Sequence, residues 1–392
     1  MSGSIPIRAA FYRGGTSKAV VFNAADLPSD RMVRDRLFLH VLGSPDPYGR
    51  QLDGMGGGLS SLSKVVIVEP SSHPDADVDY TFVQIAVDAP VADYGSTCGN
   101  MSSAVGPFAL REGLLKADGD KATVRILNTN TNKIYLATFS VRDGAALEDG
   151  DFEIPGVSGS GAKVELNFLD PGGASTGSIL PTGSPLTTHT VEGIGDVSLS
   201  FVDAANPVAF VKASDLGCTG AEDPMDLDAN SDVMAKLDAI RRVAGAAAGL
   251  ADTPGDVPMS NPKIALVAPP APFTALDGRH YAAEDADVSV RLISMGNTHR
   301  AITLTGGMCT AVAAQIPGTL IHAIVANRHS KNEREDNKML RIANPSGVLP
   351  VAADVQQSGN GPHAVSATTF RTQRLIMEGS VMVPANLLED AA

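Results

Sequence analysis

The sequence predicts an α+β protein of two similar β-rich domains, each with a long helix inside or against its sheet. Three observations lead there. Short β-branched runs separated by turn clusters recur along most of the chain. Only a few segments have helical character. The two halves match each other in order, the mark of an internal duplication. At 392 residues the chain also exceeds what one hydrophobic core usually serves, so it should divide near its middle.

The predicted strands include IPIRAAFY, KAVVFN, SKVVIVEP, VDYTFVQIAV, TVRILN and KIYLATFSV. The predicted helices are Arg31 to Leu42, the stretch after Cys98 (NMSSAVGPFALREGLL), Val233 to Ala247, and the stretch after Cys309 (TAVAAQIPGTLIHAIV), which Pro317 should end or kink. Gly172 to Pro185 (GGASTGSILPTGSP) has the composition of a linker. The expected domains are therefore 1–184 and 185–392, with the last strand free to pair with the N-terminal domain.

Five internal matches support the duplication. Phe11 to Leu27 resembles Phe201 to Leu216 at an offset of 190, and SKVVIVEP resembles PKIALVAP, which puts Lys64 over Lys263 at 199. DADVDYTFVQI resembles DADVSVRLISM, Asp75 over Asp285, at 210. Cys98 falls over Cys309 at 211, and Arg125 over Arg341 at 216. Offsets that only grow are what duplication followed by loop insertion leaves. The expected arrangement is pseudo-symmetric, with both cysteines opening helices that face one interdomain cleft, the default place for a site.

Composition narrows the class. Hydrophobic residues at 43% and charged residues at 19% give ample material for packed cores. A net charge of −14 would repel a phosphate backbone or an anionic membrane, so neither nucleic acid nor membrane is expected as a partner. Cys98, Cys218 and Cys309 are too far apart for a CxxC or zinc cluster, so neither disulfide nor metal is indicated. The N-terminus MSGSIPIRAAFYRGG has no charged-then-apolar leader, and no run approaches the roughly 18 apolar residues of a membrane span, so a cytoplasmic location is expected.

Two residues stand out chemically. Cys98, in STCGNMSSAVGPFAL, lies where a turn with Gly99 gives way to a helix; free N–H groups and the helix dipole there favour a thiolate and can bind a carboxylate. A buried cysteine serving as a small hydrophobe is the bland alternative. Lys64 follows the glycine-rich LDGMGGGLSSLS and enters the apolar strand VVIV. A lysine facing a pocket with apolar walls loses basicity and becomes a general base near neutral pH; one at a strand edge simply reaches solvent. The glycine run lacks Walker spacing, which argues against nucleotide binding. RGGTSK (Arg13 to Lys18) is a tight hairpin suited to grasping carboxylates, or an ordinary turn. His299 and Arg300 lie just before the Cys309 segment, and Asn344-Pro345-Ser346-Gly347 is a turn. Cys218, in a LGCTG turn, has no partner motif.

RGGTSK, SPDPYG, DGMGGGLSSLSK, DVDYTFVQ, CGNMSSAVGPFA, SMG with a nearby histidine, IPGTL and PSG follow one another from end to end. Together they closely resemble the PrpF family of 2-methylaconitate cis–trans isomerases and their relatives. The resemblance implies a diaminopimelate epimerase-like fold: two β-barrel-like domains, each around a central helix, with the active site between them. It implies Lys64 and Cys98 as catalytic residues, no metal or redox cofactor, a small di- or tricarboxylate substrate, and leaves room for a homodimer. The positions it brings to the substrate are Arg13, Gly15, Thr16, Ser17 and Lys18 of the hairpin, Met55, Gly56 and Ser63 of the glycine-rich loop, and Gly99, Asn100 and Met101 beside Cys98. From the second half it adds His299, Arg300, Cys309, Thr310 and Ser346. Close members read NCGN, RGGTSKG and SMGKLHHA, where this chain has Thr97 before Cys98, Ala19 after Lys18, and SMGNTHRA. The last change suits a different carboxylate pattern. Relatives act on methylitaconate, aconitate and oxalomesaconate. Two further readings stay open: a two-cysteine amino-acid epimerase using Cys98 and Cys309, and a non-catalytic carboxylate-binding protein.

Overall fold

The computed structural model describes residues 3–95, 97–329, 339–359 and 361–388. The chain divides into two compact units, Met1–Phe168 together with Phe370–Ala392, and Leu169–Thr369. Both are α+β.

In the first unit the strands are β1 (Ser4–Gly14), β2 (Ser17–Asn23), β3 (Lys64–Pro70), β4 (Val78–Ile85), β5 (Lys121–Asn128), β6 (Lys133–Arg142) and β7 (Val164–Leu169). In the second they are β8 (Thr187–Val191), β9 (Gly195–Ala204), β10 (Asn206–Lys212), β11 (Lys263–Ala268), β12 (Val288–Ser294), β13 (Met339–Asn344), β14 (Gly347–Ser358) and β15 (Gly361–Arg371). The final strand β16 (Gln373–Pro384) runs antiparallel to β1 along its whole length, from Ser4 opposite Pro384 to Gly14 opposite Gln373.

The pairing order is the same in both units. In the first, β16, β1 and β2 are successively antiparallel, β2 and β3 are parallel, β3 and β4 antiparallel, β4 and β5 parallel, and β5, β6 and β7 antiparallel. In the second, β8 through β15 repeat that series of senses. The strand that corresponds to β8 is thus supplied to the first unit by the end of the chain, which is why residues after Phe370 cluster with it. One duplicated ion pair marks the register: Arg125 reaches Asp77 at 3.2 Å, and 216 residues on Arg341 reaches Asp287 at 2.7 Å.

The helices are α1 (Arg31–Leu42), α2 (Ser102–Arg111), α3 (Pro224–Ala229), α4 (Ser231–Ala247), α5 (Leu304–Ala314) and α6 (Leu320–His329). Asp30 caps α1 by accepting from the Val33 N–H, and Gly43 ends it in the left-handed region. Its apolar face, Val33, Leu37, Phe38, Val41 and Leu42, lies on the core formed with Val20, Phe22, Val65 and Val83. α4 covers the second unit's sheet in the same way, through Val233, Leu237, Ile240 and Ala244. By contrast α2 is buried on every side from Ser102 to Leu110, and α5 nearly so, as expected of helices enclosed by their sheet. A side chain at Gly106 of α2 would come within 2.7 Å of the Phe139 ring. Small residues let the sheet close on the helix.

The two compact units divide between Phe168 and Leu169. Gly172 to Pro185 is no free linker: its Gly173 N–H donates to the Asp203 carbonyl, its Ile179 carbonyl accepts from the Asp203 N–H, and the Asp203 carboxylate accepts the Ser175 and Thr176 N–H groups at 2.8 and 2.7 Å. Turn-rich composition here builds a loop anchored on a buried acid. The helix predicted after Cys309 is two, α5 and α6, broken around Pro317. The Cys98-over-Cys309 match does not survive in the backbone. Cys98 precedes α2 by four residues, whereas Cys309 is the sixth residue of α5.

Candidate active site

In the first unit, β1 and β2 are joined by a two-residue turn, Gly15-Thr16, with Gly14 opposite Ser17. Gly15 has φ +52, and a Cβ there would lie 2.5 Å from the Asn100 Oδ1, so only glycine lets the hairpin close on the Cys98 segment. The Gly15 N–H donates to the Thr372 carbonyl at 3.0 Å, and the Arg13 guanidinium donates to the carbonyls of Gly15 and Thr372. Arg13, placed at the substrate by the resemblance, here clamps the hairpin to the strand junction; burial lowers its pKa, with Arg374 adding to the effect. Lys18 lies over the Phe11 ring at 5.5 Å, and Thr16 accepts from the Asn100 amide at 3.0 Å.

The Cys98 segment is braced from below. Its carbonyl accepts from the Tyr80 hydroxyl at 3.0 Å and from the Ser102 N–H at 3.3 Å, and the Thr97 hydroxyl accepts from Asn128. The thiol, 8% exposed, points at Ser17 Oγ at 3.9 Å. Gly99 and Asn100 form the turn into α2, and Met101 is fully buried.

Lys64 opens β3 and is only 7% exposed. Its Nζ donates to Gln84 Oε1 at 2.6 Å and lies 4.9 Å from the centre of the Phe82 ring. Burial lowers its pKa; the nearby Cys98, which pulls in the opposite sense, is the charge that reaches it. The glycine-rich loop before it hangs on Gln51, whose Oε1 accepts the Gly58 N–H and the Ser63 hydroxyl. Ser63 is fully buried in that contact, and Met55 and Gly56 donate their N–H groups to the end of α1. All three belong to the loop that leads into Lys64.

Arg371 completes the cluster. It is buried, its Nε donates to Asn100 Oδ1 at 3.0 Å, burial pulls its guanidinium down to about 10, and Cys98 counters that fall. Arg371 and Gln84 were not among the residues read from the sequence. Gln84 had one available signal: on β4 it stands two residues from Phe82, on the same face, and directly across the strand pair from Lys64. Arg371 had none, lying 271 positions from Asn100 in an ordinary strand.

In the second unit, Lys263 opens β11 as Lys64 opens β3, and burial lowers its pKa too. His299 stands near it, with Nε2 buried and unpartnered among the described residues; burial, then Lys263, bring its pKa down to about 4. Arg300 is exposed, and its carbonyl accepts from the Ser346 hydroxyl at 2.7 Å. Cys309 is fully buried inside α5, its thiol donating to the Val202 carbonyl at 3.2 Å, and burial pushes its pKa far up. Thr310 is buried beside it and bonds back to the Gly306 carbonyl at 2.8 Å. Among the described residues, no group of three or more His, Cys, Asp or Glu side chains could hold a metal ion, and no helix is long and apolar enough to cross a membrane.

The first unit therefore brings Ser17, Lys64, Cys98, Asn100 and Arg371 together: a desolvated amine, a thiol, a hydroxyl and a buried cation. Such a set can move a proton and steady an anion.

A family model described as PrpF protein matches residues 4–384. The 2-methyl-aconitate isomerase of Shewanella oneidensis is 39% identical, the alignment covering 97% of this chain and 97% of that one. The 3-methylitaconate isomerase of Eubacterium barkeri is 38% identical over 98% of each chain. A crystal structure titled methylitaconate-delta-isomerase superposes with a TM-score of 0.90 at 38% identity, covering 100% of this chain and 99% of that one.

Proposed function

The chain belongs to the PrpF family, and from that premise we propose that it is a cofactor-independent isomerase moving a proton on a small unsaturated tricarboxylate, first of all by cis–trans isomerisation of 2-methylaconitate. The observation that carries this reading is Lys64: a buried amine held on a neutral amide, within electrostatic reach of the Cys98 thiol. A lysine so placed is deprotonated nearer neutral pH than one in water. It removes an allylic proton acidified by the conjugated carboxylates. The charge passes into a dienolate, which cations and N–H donors on the carboxylates stabilise. Rotation and return of the proton to the same carbon give cis–trans isomerisation, and return to the far allylic carbon shifts the double bond. Cys98 serves as the acid or second base that returns it.

The double-bond shift, on methylitaconate, aconitate or oxalomesaconate, is the second reading, favoured by the likeness to the methylitaconate isomerases. A two-cysteine epimerase is disfavoured by Cys309, which is 0% exposed. A cytoplasmic place in propionate breakdown through the methylcitrate cycle, and a homodimeric state, go with the first reading.

The test is a panel of unsaturated di- and tricarboxylates followed by NMR in D₂O. The expected result is deuterium incorporation at an allylic position together with isomerisation. Binding without exchange for every member would leave a carboxylate-binding protein. Lys64→Ala should lower turnover by about 10²–10⁴-fold, the usual share of a general base; retention within a few-fold would refute its role.

A further inference from the structure

We propose that Gln84 is a positioning residue for Lys64: its amide is locked in one orientation, presents Oε1 to the lysine, and so sets the pH above which that lysine acts as a base. The proposal rests on the reading of Lys64 as the base.

The orientation follows from what surrounds the other end of the amide. Gln84 Nε2 donates to the carbonyls of Ser63 at 2.9 Å, Ser60 at 3.1 Å and Ile85 at 3.3 Å. Three carbonyl oxygens accept only from a donor, so the amide nitrogen must face them and Oε1 must face the other way. That way lies Lys64 Nζ at 2.6 Å, directly across the strand pair, since Lys64 and Gln84 are opposite each other in the β3–β4 register. The carbonyls of Ser60 and Ser63 belong to the turn that ends the glycine-rich loop, and the Ile85 N–H returns a bond to the Ser63 carbonyl at 3.0 Å. One amide thus ties the loop to β4 and aims the lysine.

The chemistry of the choice is specific. Among side chains of this length, only an amide directs two N–H donors, shared here among three carbonyls, at one end while accepting at the other without carrying charge. A carboxylate would turn an oxygen toward the carbonyls and hold Lys64 protonated by ion pairing. An apolar chain would leave the ammonium without its acceptor. The charged groups on neighbouring elements leave this control to Gln84. Lys18 on β2 is turned over Phe11; Arg371, the last residue of β15, bonds to Asn100; and the acids of the β3–β4 pair, Glu69 and Asp79, lie opposite each other at its far end. Cys98, just before α2, is the titratable group whose charge reaches Lys64, and the Phe82 ring forms the remaining wall.

The test is the pH dependence of kcat/KM for the full-length enzyme and its variants, with thermal melts to monitor the loop. Gln84→Glu should move the acidic limb up by about 1–3 pH units, the usual effect of an opposite charge at contact distance. Gln84→Met should move it down, because the ammonium loses its acceptor. KM should stay within about threefold in both, since Gln84 acts through Lys64. A purely structural role would lower melting temperature and kcat while leaving the limb where the parent has it. If Gln84→Met does not fold, Gln84→Asn, which withdraws the amide by one methylene, takes its place with the same expected direction. An inactive Lys64→Ala together with unshifted limbs overturns this inference alone. An active Lys64→Ala overturns it together with the base assignment.

Discussion

Acidification tests how the second unit holds the neighbours Lys263 and His299. Burial, and after it the Lys263 charge, bring the His299 ring from an ordinary 6.5 down to about 4. The folded ring therefore stays neutral until the pH approaches that value, whereas the unfolded chain takes up a proton near 6.5. Between the two the unfolded state binds more protons. The stability tied to this group is thus complete above pH 6.5 and is lost as the pH falls toward 4. At about 1.4 kcal/mol per pH unit, the span implies roughly 3 kcal/mol, and residual solvent contact of the ring reduces the expectation to about 2 kcal/mol. His299→Gln keeps a polar group near Nε2 but cannot titrate. Urea unfolding of parent and variant at pH 7.5 and 4.5 isolates the effect, because the carboxylates are common to both and cancel. The stability difference between the two proteins should change by about 2 kcal/mol in favour of the variant at the lower pH. Lys263→Met should shrink the change by removing the second cause of the shift. A parent–variant difference that is the same at both pH values would refute the burial argument.

The other expectations are quicker to check. Cys98→Ser should lose most turnover, whereas Cys309→Ser, whose hydroxyl can still donate to the Val202 carbonyl, should keep it within a few-fold; equal losses would revive the two-cysteine epimerase. Gly106→Ala puts a methyl 2.7 Å from Phe139, and an overpacking cost of about 1–3 kcal/mol should outweigh a helix-propensity gain of about 1 kcal/mol. The result should be a lowered melting temperature with unchanged KM, and a stabilised variant would mean that the sheet yields around α2.

Strands and duplication were legible because both rest on repeated local patterns. VVIV after Lys64 and IALV after Lys263 are apolar along their length, as strands buried on both faces must be, and they occupy the same position in their units. The offsets of 199 and 216 read from Lys64 and Arg125 agree with the strand pairing, down to the two aspartate–arginine pairs. What misled was Cys98 over Cys309. Both lie in runs of small residues, which carry little information about register, so a shared cysteine outweighed helix position. The backbone starts α2 at Ser102 and α5 at Leu304, an offset of 202 that breaks the rising series. Contacts distant in sequence were beyond reach for another reason. The Arg371–Asn100 bond depends on how β15 ends and β16 begins, which no local pattern encodes.

That misregister bears on how a duplicated scaffold acquires one set of chemistry in each half. Strand order, the lysine at the head of the third strand and the braced ion pair are common to both units, so none of them distinguishes proton transfer from binding. The difference lies in the segment between the fourth strand and the enclosed helix. In the first unit residues 86–101 are long enough to bring Cys98 back under the hairpin, against Ser17, before α2 begins. In the second, residues 295–303 are shorter, the helix begins sooner, and its cysteine is carried inside α5, where burial holds the thiol protonated. The lysines differ in the same way. Lys64 meets an amide aimed by a glycine-rich loop, while Lys263 meets a buried imidazole. Lys263 is desolvated there, and its charge helps to hold the His299 ring neutral. Loop length before the enclosed helix thus accounts for a thiol set against Ser17 in the N-terminal unit and a thiol sealed inside α5 in the C-terminal unit.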